Sequence, residues 1–233
     1  MGPRILIAGQ TRDGREYVVR PYRRLDRARV RYICCETGFL GDPQEAVFAG
    51  RELFADLWSG YWTDYEPESA FVAEVEGRVE GYVLGCLDTR RQLRIWERRI
   101  VPVVGVKMLA TGWWRWAINR HFIRAMRRSA RQGELDWPMR EILARYPAHL
   151  HTNIADPALR GQGLGGAMMK AHFQYLHQHG ITGVHLGTTS HNRRAVPFYY
   201  HLGFQLLHQA HATIRGSNAT FTVLTSNVGY GVP

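Results

Sequence analysis

The stretch that decides the fold reads Arg160-Gly161-Gln162-Gly163-Leu164-Gly165. A strand-like run at 149–155 precedes it, and a helical run at 166–179 follows it and ends at Gly180. Glycines let the backbone approach an anion closely, and the first N–H groups of a helix are unpaired and point at that anion. The helix dipole adds roughly half a positive charge at the same place. The stretch therefore predicts a pyrophosphate site.

The spacing of the glycines indicates which pyrophosphate. It is not the G-x-G-x-x-G of dinucleotide binders, and no Lys-Ser/Thr pair follows as in a P-loop. The pattern is Arg-x-x-Gly-x-Gly, which resembles the coenzyme A loop of the GNAT acetyltransferases. A second signature has the family's N-x-x-A-x-x-x-Y-x-x-x-G-F spacing and consists of Asn192, Ala195, Tyr199 and Gly203-Phe204. With a predicted strand at 183–188 between the two signatures, the chain is identified by resemblance as a member of the GNAT family.

The resemblance implies a fold, a co-substrate and a set of binding residues. The implied fold is α/β, with a mixed, mostly antiparallel central sheet flanked by helices. The implied co-substrate is acetyl-CoA. The residues expected to hold it are Asn153, Ile154, Ala155, Arg160, Gly161, Gln162, Gly163, Leu164, Gly165, Gly166, Asn192, Ala195 and Tyr199.

The rest of the chain matches a single domain over residues 1–233. A first strand is predicted at 16–23 and a helix at 25–37. A second helix is predicted from Asp42, as N-cap, and Pro43 to about Trp58. Two hairpins are predicted, the first from 71–76 and 81–89 and the closing one from 205–213 and 219–227.

Between the first hairpin and the coenzyme loop lies a predicted helical insertion at about 90–146. It holds 14 Lys/Arg and 4 Asp/Glu, a net charge of +10, which equals the net charge of the whole chain. Within it, Thr111 to Arg131 has the pattern of a basic amphipathic helix, with Trp114, Ile118, Phe122 and Met126 on one face. Three interpretations stay open: a lid with solvated arginines, a surface for an acidic substrate or the coenzyme phosphates, and a contact with membrane or nucleic acid. Exposed tryptophans on the insertion would indicate a homodimer.

Acetyl transfer to an amine requires a base, because an ammonium has no lone pair. His151 is a candidate, and alternation along the strand places it on one face with His149 and Asn153. Glu66 and Glu68 are rivals, and a purely structural histidine is the alternative. One extra residue from His151 onward, relative to the family spacing, predicts a β-bulge.

The other catalytic assignments come from the resemblance. It places the N–H donor for the developing oxyanion on the strand at 149–155, whose backbone also pairs with the pantetheine arm. It places Tyr199 as the proton donor to the departing thiolate; the alternative is an aromatic plug behind the coenzyme. The catalytic candidates are therefore Tyr199, His151 and Glu68.

Composition excludes several classes of protein. No apolar run reaches the length of a membrane span, and no signal-peptide pattern is present, so we expect a cytoplasmic protein. Three cysteines, two of them adjacent, favour free thiols, and the histidine spacings predict no metal site. No nucleic-acid-binding motif is present, so nucleic acid is not an expected partner.

The sequence leaves two functions open. The first is an acetyl-CoA-dependent N-acetyltransferase acting on the primary amine of a small molecule through a direct ternary complex. The segments 61–69 and 146–151 are similar to the acetyltransferase-like domain of O-GlcNAcases and to its stand-alone bacterial relatives. Some domains of that branch are described as lacking transferase activity. The second function is therefore an inactive GNAT-fold module that binds acetyl-CoA or a partner.

Overall fold

A single eight-stranded sheet organises the chain in a computed structural model that describes residues 6–131, 139–189, 192–214 and 217–227. The strands are Ile7–Gln10 (β1), Glu16–Pro21 (β2), Ala70–Val75 (β3), Arg78–Cys86 (β4), Ala148–Ile154 (β5), Gly183–Thr189 (β6), Gln205–Ile214 (β7) and Ser217–Asn227 (β8). Their order across the sheet is β1-β2-β3-β4-β5-β6-β8-β7. Neighbours are antiparallel except β5 and β6, which are parallel. The predicted mixed, mostly antiparallel α/β fold is confirmed.

Helices cover both faces of the sheet. They are Arg27–Glu36 (α1), Arg51–Asp64 (α2), Thr89–Ile95 (α3), Val101–Ala110 (α4), Ala117–Arg131 (α5), Met139–Arg145 (α6), Leu164–Gln178 (α7) and Ala195–His201 (α8). One hydrophobic cluster joins α7 to residues such as Val83 and Leu150, and a second joins α1, α2 and α4 to residues such as Tyr82 and Leu84. Among the helices of the described ranges, none combines the length and apolar composition that a membrane crossing requires.

Two glycines of β4 let α7 lie close to the centre of the sheet. A Cβ atom on Gly85 would come within 2.0 Å of the His172 ring, and one on Gly81 would lie 3.1 Å from Met168. His172 is fully buried and packs edge-on against Phe71. Because a strand alternates its faces, Gly81 and Gly85 face the same way. The close approach fixes α7, and with it the glycine loop at its N-terminus.

The sequence prediction was wrong at the start of the second helix, which begins at Arg51. Pro43 is extended (ψ 141°) and leads into a short 3₁₀ turn, so Asp42 caps no α-helix. The chain then buries Phe48 against Phe54 and Trp113. Burial of this aromatic ring overrides the local Asp-Pro signal. The prediction also missed β1, which precedes the strand that it called first.

The described residues between β4 and β5 are mostly helical. The helical residues run without a break from Thr89 to Ala110, with a π-helical turn at Trp96–Ile100. Gly112 (φ 62°) then turns the chain, and Trp113 is buried and donates its indole N–H to the Ala49 carbonyl at 2.9 Å. The helix predicted from Thr111 therefore begins only at Ala117, and Trp114 does not lie on it.

Candidate functional site

The two parallel strands at the centre of the sheet separate soon after they meet. β5 and β6 pair only through Ala148 with Val184 and His149 with His185. On its other side β5 pairs with β4 in an unbroken register from His149 to Ile154, so the predicted bulge is absent from that ladder. Along 150–154, the backbone groups of β5 that point toward β6 therefore face a gap rather than a partner strand. The gap leaves residues 150–154 of β5 with a free backbone edge in the middle of the sheet.

The glycine loop lies where this edge ends. Gly161 (φ 76°) and Gly163 (φ 94°) adopt the left-handed conformation, and Gly163 is the N-cap residue of α7. A Cβ atom at either glycine, or at Gly166, would have no atom within 4 Å. The unpaired N–H groups of the first turn of α7 thus lie beside an open cradle. Gly165 differs, because its Cβ would lie 3.1 Å from the Phe198 ring, so this glycine serves the packing of α8.

Three arginines lie near the loop: Arg160, Arg194 and, through its backbone, Arg12. The Arg160 guanidinium donates to the carbonyls of Ile154 at 3.2 Å and Gly41 at 3.3 Å, which ties the loop to the end of β5. Burial and the nearby positive charge of Arg194 lower the pKa of Arg160. The N–H of Arg12 donates to the Gln162 carbonyl at 3.3 Å and brings the β1–β2 turn against the loop. Sequence reasoning singled out Arg160 alone; Arg194 lies inside the second signature, whereas no local signal marks Arg12.

The second signature builds the start and the core of α8. Asn192 Oδ1 accepts a hydrogen bond from the Ala195 N–H at 3.1 Å and so fixes the turn before the helix. Tyr199 is buried between Phe198 and Phe204, with ring centroids 5.3 and 5.4 Å away. Burial raises the pKa of Tyr199, so its hydroxyl stays protonated at neutral pH. Tyr199 belongs to the hydrophobic cluster on the α7 face of the sheet.

His149, His151 and Asn153 of β5 lie on the opposite face of the sheet. His151 Nε2 is 3.0 Å from Asn153 Nδ2, which also lies 2.9 Å from the Tyr82 hydroxyl. An amide nitrogen can only donate, so neutral His151 carries its proton on Nδ1. Burial lowers the pKa of His151 to about 4, so the ring is neutral at physiological pH. His149 stacks on Trp62 with a ring-centroid distance of 6.1 Å, and its pKa is also lowered, first by burial and then by neighbouring histidines.

The two glutamates take different environments. Glu68 is exposed in the turn Pro67–Ser69, and its charge acts on Tyr175 in the second half of α7, away from the glycine loop. Glu66 is 2% exposed and accepts hydrogen bonds from the Leu87 N–H and Arg91 Nη1, each at 2.9 Å, and from the Tyr61 hydroxyl. The structure thus brings Glu66, not Glu68, into the interior beside the end of β4. The role of Glu68 stays a prediction.

These features fit coenzyme A. The open cradle beside Gly161 and Gly163 suits a pyrophosphate, and the free edge of β5 suits an extended arm with amide groups. The side-chain oxygen Oε1 of Gln162 is buried without a hydrogen-bond partner in the described part of the chain, so a ligand donor would satisfy it. Within the same residues, no group of three or more His, Cys, Asp or Glu side chains is placed to hold a metal ion.

Comparison with known proteins gives the same fold. The sequence model described as "Acetyltransferase (GNAT) family" matches residues 42–204. Among solved structures, the chain is similar to SsHAT, with 28% identity, a TM-score of 0.67, and coverage of 91% of this chain and 98% of that chain. It is similar to yncA, a putative acetyltransferase from Salmonella typhimurium with its cofactor acetyl-CoA (13% identity, TM-score 0.54, coverage 92% and 95%). It is also similar to a Drosophila melanogaster polyamine N-acetyltransferase that forms N-acetylagmatine (18%, TM-score 0.56, coverage 91% and 99%).

Proposed function

The chain belongs to the acetyltransferase (GNAT) family, and from that premise we propose that it transfers an acetyl group from acetyl-CoA to the primary amine of a small molecule while both are bound. The observation that carries the proposal is the open glycine cradle at the end of the free edge of β5. The coenzyme contacts we propose are Asn153, Ile154, Ala155, Arg160, Gly161, Gln162, Gly163, Leu164, Gly165, Gly166, Asn192, Ala195 and Tyr199. To these we add Arg12 and Arg194, which flank the loop.

The loop holds its anion by backbone rather than by side chains. The left-handed Gly161 and Gly163 leave room for phosphate oxygens, and the N–H groups of the first turn of α7 donate to them. Arg160 fixes the loop through three carbonyls, those of Ile154, Ala155 and Gly41. We therefore assign Arg160 a positioning role together with its charge.

The acid and the base lie on opposite faces of the sheet. When bound, acetyl-CoA supplies a thioester whose carbonyl carbon an amine can attack. The β5 N–H groups that face the gap donate to the carbonyl oxygen as it gains charge. Tyr199, kept protonated by burial, gives a proton to the departing sulfur from the α7 face. His151, neutral on the other face, takes the proton of the amine on Nε2 after the amine displaces the Asn153 amide group from that nitrogen. The two faces meet at the gap between β5 and β6.

The pKa of His151 limits how much it contributes. A base with a pKa of about 4 is unprotonated at neutral pH but holds a proton weakly. General-base help is worth about a hundred- to ten-thousand-fold in rate, and we place His151 at the lower end of that range. Glu66 is a less suited base, because it already accepts three hydrogen bonds. The reaction then favours amines of which a larger fraction is unprotonated at neutral pH.

The charge of the insertion bears on the acceptor. Residues 90–146 carry a net charge of +10, which repels polycations and concentrates anions near the protein. We therefore expect an amine that also bears a carboxylate or phosphate to react faster than a polyamine. The amines to be tested should therefore include both anionic amines and polyamines.

The test combines binding and turnover. Acetyl-CoA at a hundred times its dissociation constant should stabilise the folded chain by about 2.7 kcal/mol, seen as a concentration-dependent rise in melting temperature. Free thiol should then be released only when an amine is added, across a panel of anionic, neutral and polycationic amines. No rise in melting temperature at millimolar acetyl-CoA would contradict the coenzyme site. A rise without thiol release for any amine would instead support the inactive binding module.

A further inference from the structure

Helix α4 presents an apolar face to the outside, and we propose that this face docks the protein onto an anionic lipid surface. The exposed fractions are 54% for Val103, 68% for Val106 and 67% for Leu109. Residues three apart lie on the same side of a helix, so these side chains form one stripe. A contiguous exposed apolar stripe on a folded helix marks an interaction surface.

The stripe is held in place by the opposite side of α4. Val104 of α4 is 2% exposed and Ile100, at the end of the π-helical turn before α4, is 7% exposed, and both pack into the cluster shared with α1 and α2. Lys107 Nζ forms an ion pair with Asp56 of α2 at 2.7 Å. These contacts hold α4 against α1 and α2, so its apolar side faces outward in a packed helix rather than in a partly unfolded one.

Two exposed tryptophans follow α4 in the sequence, just after the turn at Gly112. Trp114 is 48% exposed and Trp116 is 60% exposed, whereas Trp113 between α4 and Trp114 is buried and anchors the turn. Tryptophan combines an apolar ring with a polar N–H group and is enriched where protein meets the membrane–water interface. An apolar helix face followed by two such rings is typical of an interfacial anchor.

The helical residues before the stripe are strongly basic. Arg91, Arg94, Arg98 and Arg99, with Ile95, line a cavity of about 310 Å³. Arg91 pairs with Glu66, but Arg94, Arg98 and Arg99 have no carboxylate within ion-pair distance in the described ranges. Free guanidinium groups next to an apolar face match a phosphate headgroup above acyl chains.

Charge also decides between the occupants. A second copy of the chain packed on the same face would bring its own Arg94, Arg98 and Arg99 close to those of the first, which costs energy at physiological salt. An anionic lipid surface supplies opposite charge and an apolar layer at once. We therefore assign the exposed tryptophans to the proposed lipid contact; the homodimer expected from the sequence stays a prediction.

The experiment uses the full chain and vesicles of 70% phosphatidylcholine and 30% phosphatidylglycerol. We expect the protein to sediment with these vesicles and its tryptophan emission to shift to shorter wavelength. Val106→Glu and Leu109→Glu should each weaken the partition coefficient at least tenfold. The matched control is Leu6→Glu beside β1, since Leu6 is 66% exposed and the change in charge is the same. Circular dichroism and melting curves verify that all three variants fold.

A second arm tests the charge. Arg94→Gln and Arg98→Gln should each weaken binding roughly fivefold, and vesicles of phosphatidylcholine alone should bind far less. Equal losses in Leu6→Glu and Val106→Glu would overturn the proposal, as would no binding to anionic vesicles. Sedimentation equilibrium gives a further outcome: a dimer that becomes a monomer in Val106→Glu would show that a second copy covers this face instead.

Discussion

Gly163→Ala separates the backbone cost of the coenzyme loop from its binding role. Gly163 has φ 94°, and an added Cβ would touch no atom within 4 Å. The substitution therefore costs only the strain of a left-handed alanine, about 1–2 kcal/mol. In a chain of this size that lowers the melting temperature by about 2–8 °C.

The chain offers a matched control at the other end of the same helix. Gly180 follows α7, has φ 69°, and also has no atom within 4 Å of an added Cβ. Gly180→Ala should lose stability to the same extent as Gly163→Ala. Only Gly163→Ala places a methyl group in the proposed cradle.

The two variants should differ once acetyl-CoA is added. At a hundred times the wild-type dissociation constant, Gly180→Ala should keep the full stabilisation of about 2.7 kcal/mol. If the methyl group weakens binding tenfold, Gly163→Ala should gain only about 1.4 kcal/mol. Differential scanning calorimetry with an acetyl-CoA titration measures both numbers. Equal dissociation constants in the two variants would refute the assignment of the cradle.

Three further outcomes are expected. Tyr199→Phe should lower kcat for thiol release about a hundredfold and leave the KM for acetyl-CoA nearly unchanged, as steady-state kinetics would show. Burial lowers the pKa of His172 from 6.5 to about 4. As the pH falls, His172 is therefore protonated in the unfolded chain before it is protonated in the folded chain, and the fold loses stability between pH 6.5 and pH 4. His172→Gln should therefore shrink the loss of unfolding free energy between pH 7 and pH 5 by about 2 kcal/mol in urea titrations. Arg91→Met should lower the free energy of unfolding by about 1–2 kcal/mol, because buried Glu66 loses a charged hydrogen-bond donor; the effect is modest because Arg91 is itself half-exposed. The matched change Arg90→Met, at an exposed residue, should lower it little.

Each of these has an outcome that contradicts it. A Tyr199→Phe enzyme of normal kcat would leave the tyrosine as an aromatic plug. An unchanged pH slope in His172→Gln would mean that other groups carry the acid sensitivity. Equal destabilisation by Arg91→Met and Arg90→Met would show that the contact with Glu66 contributes no stability of its own.

Elements with a local signal were predictable from the sequence. The helix after the glycine loop ends at Gln178, and Gly180 (φ 69°) stops it two residues later, as predicted, because glycine favours that conformation. The closing hairpin and the strand at Gly183–Thr189 also lie where alternation and glycine placed them. The loop itself was predictable, since spacing of glycines before a helix is a property of a few consecutive residues.

Features that depend on distant contacts were not predictable. The start of α2 is decided by the burial of Phe48 against Trp113, more than sixty residues away in sequence. Arg12 reaches the loop only because the β1–β2 turn folds against Gln162. Alternation could not decide between Glu66 and Glu68, because both precede the strand and their two-residue spacing gives both the same phase. The tertiary fold buries one and exposes the other.

The fit of Gly85 beneath His172 has a consequence for how this sequence can change over generations. While the imidazole is present, any side chain at position 85 would collide with it at 2.0 Å, so every single substitution there is disfavoured. A smaller residue at 172 would leave a cavity, yet it would make room for alanine at 85. The two positions are therefore expected to change in a fixed order, 172 before 85, and the double change is expected to destabilise the fold less than the sum of the two single changes. Relatives that carry a residue larger than glycine at position 85 should carry a residue smaller than histidine at position 172.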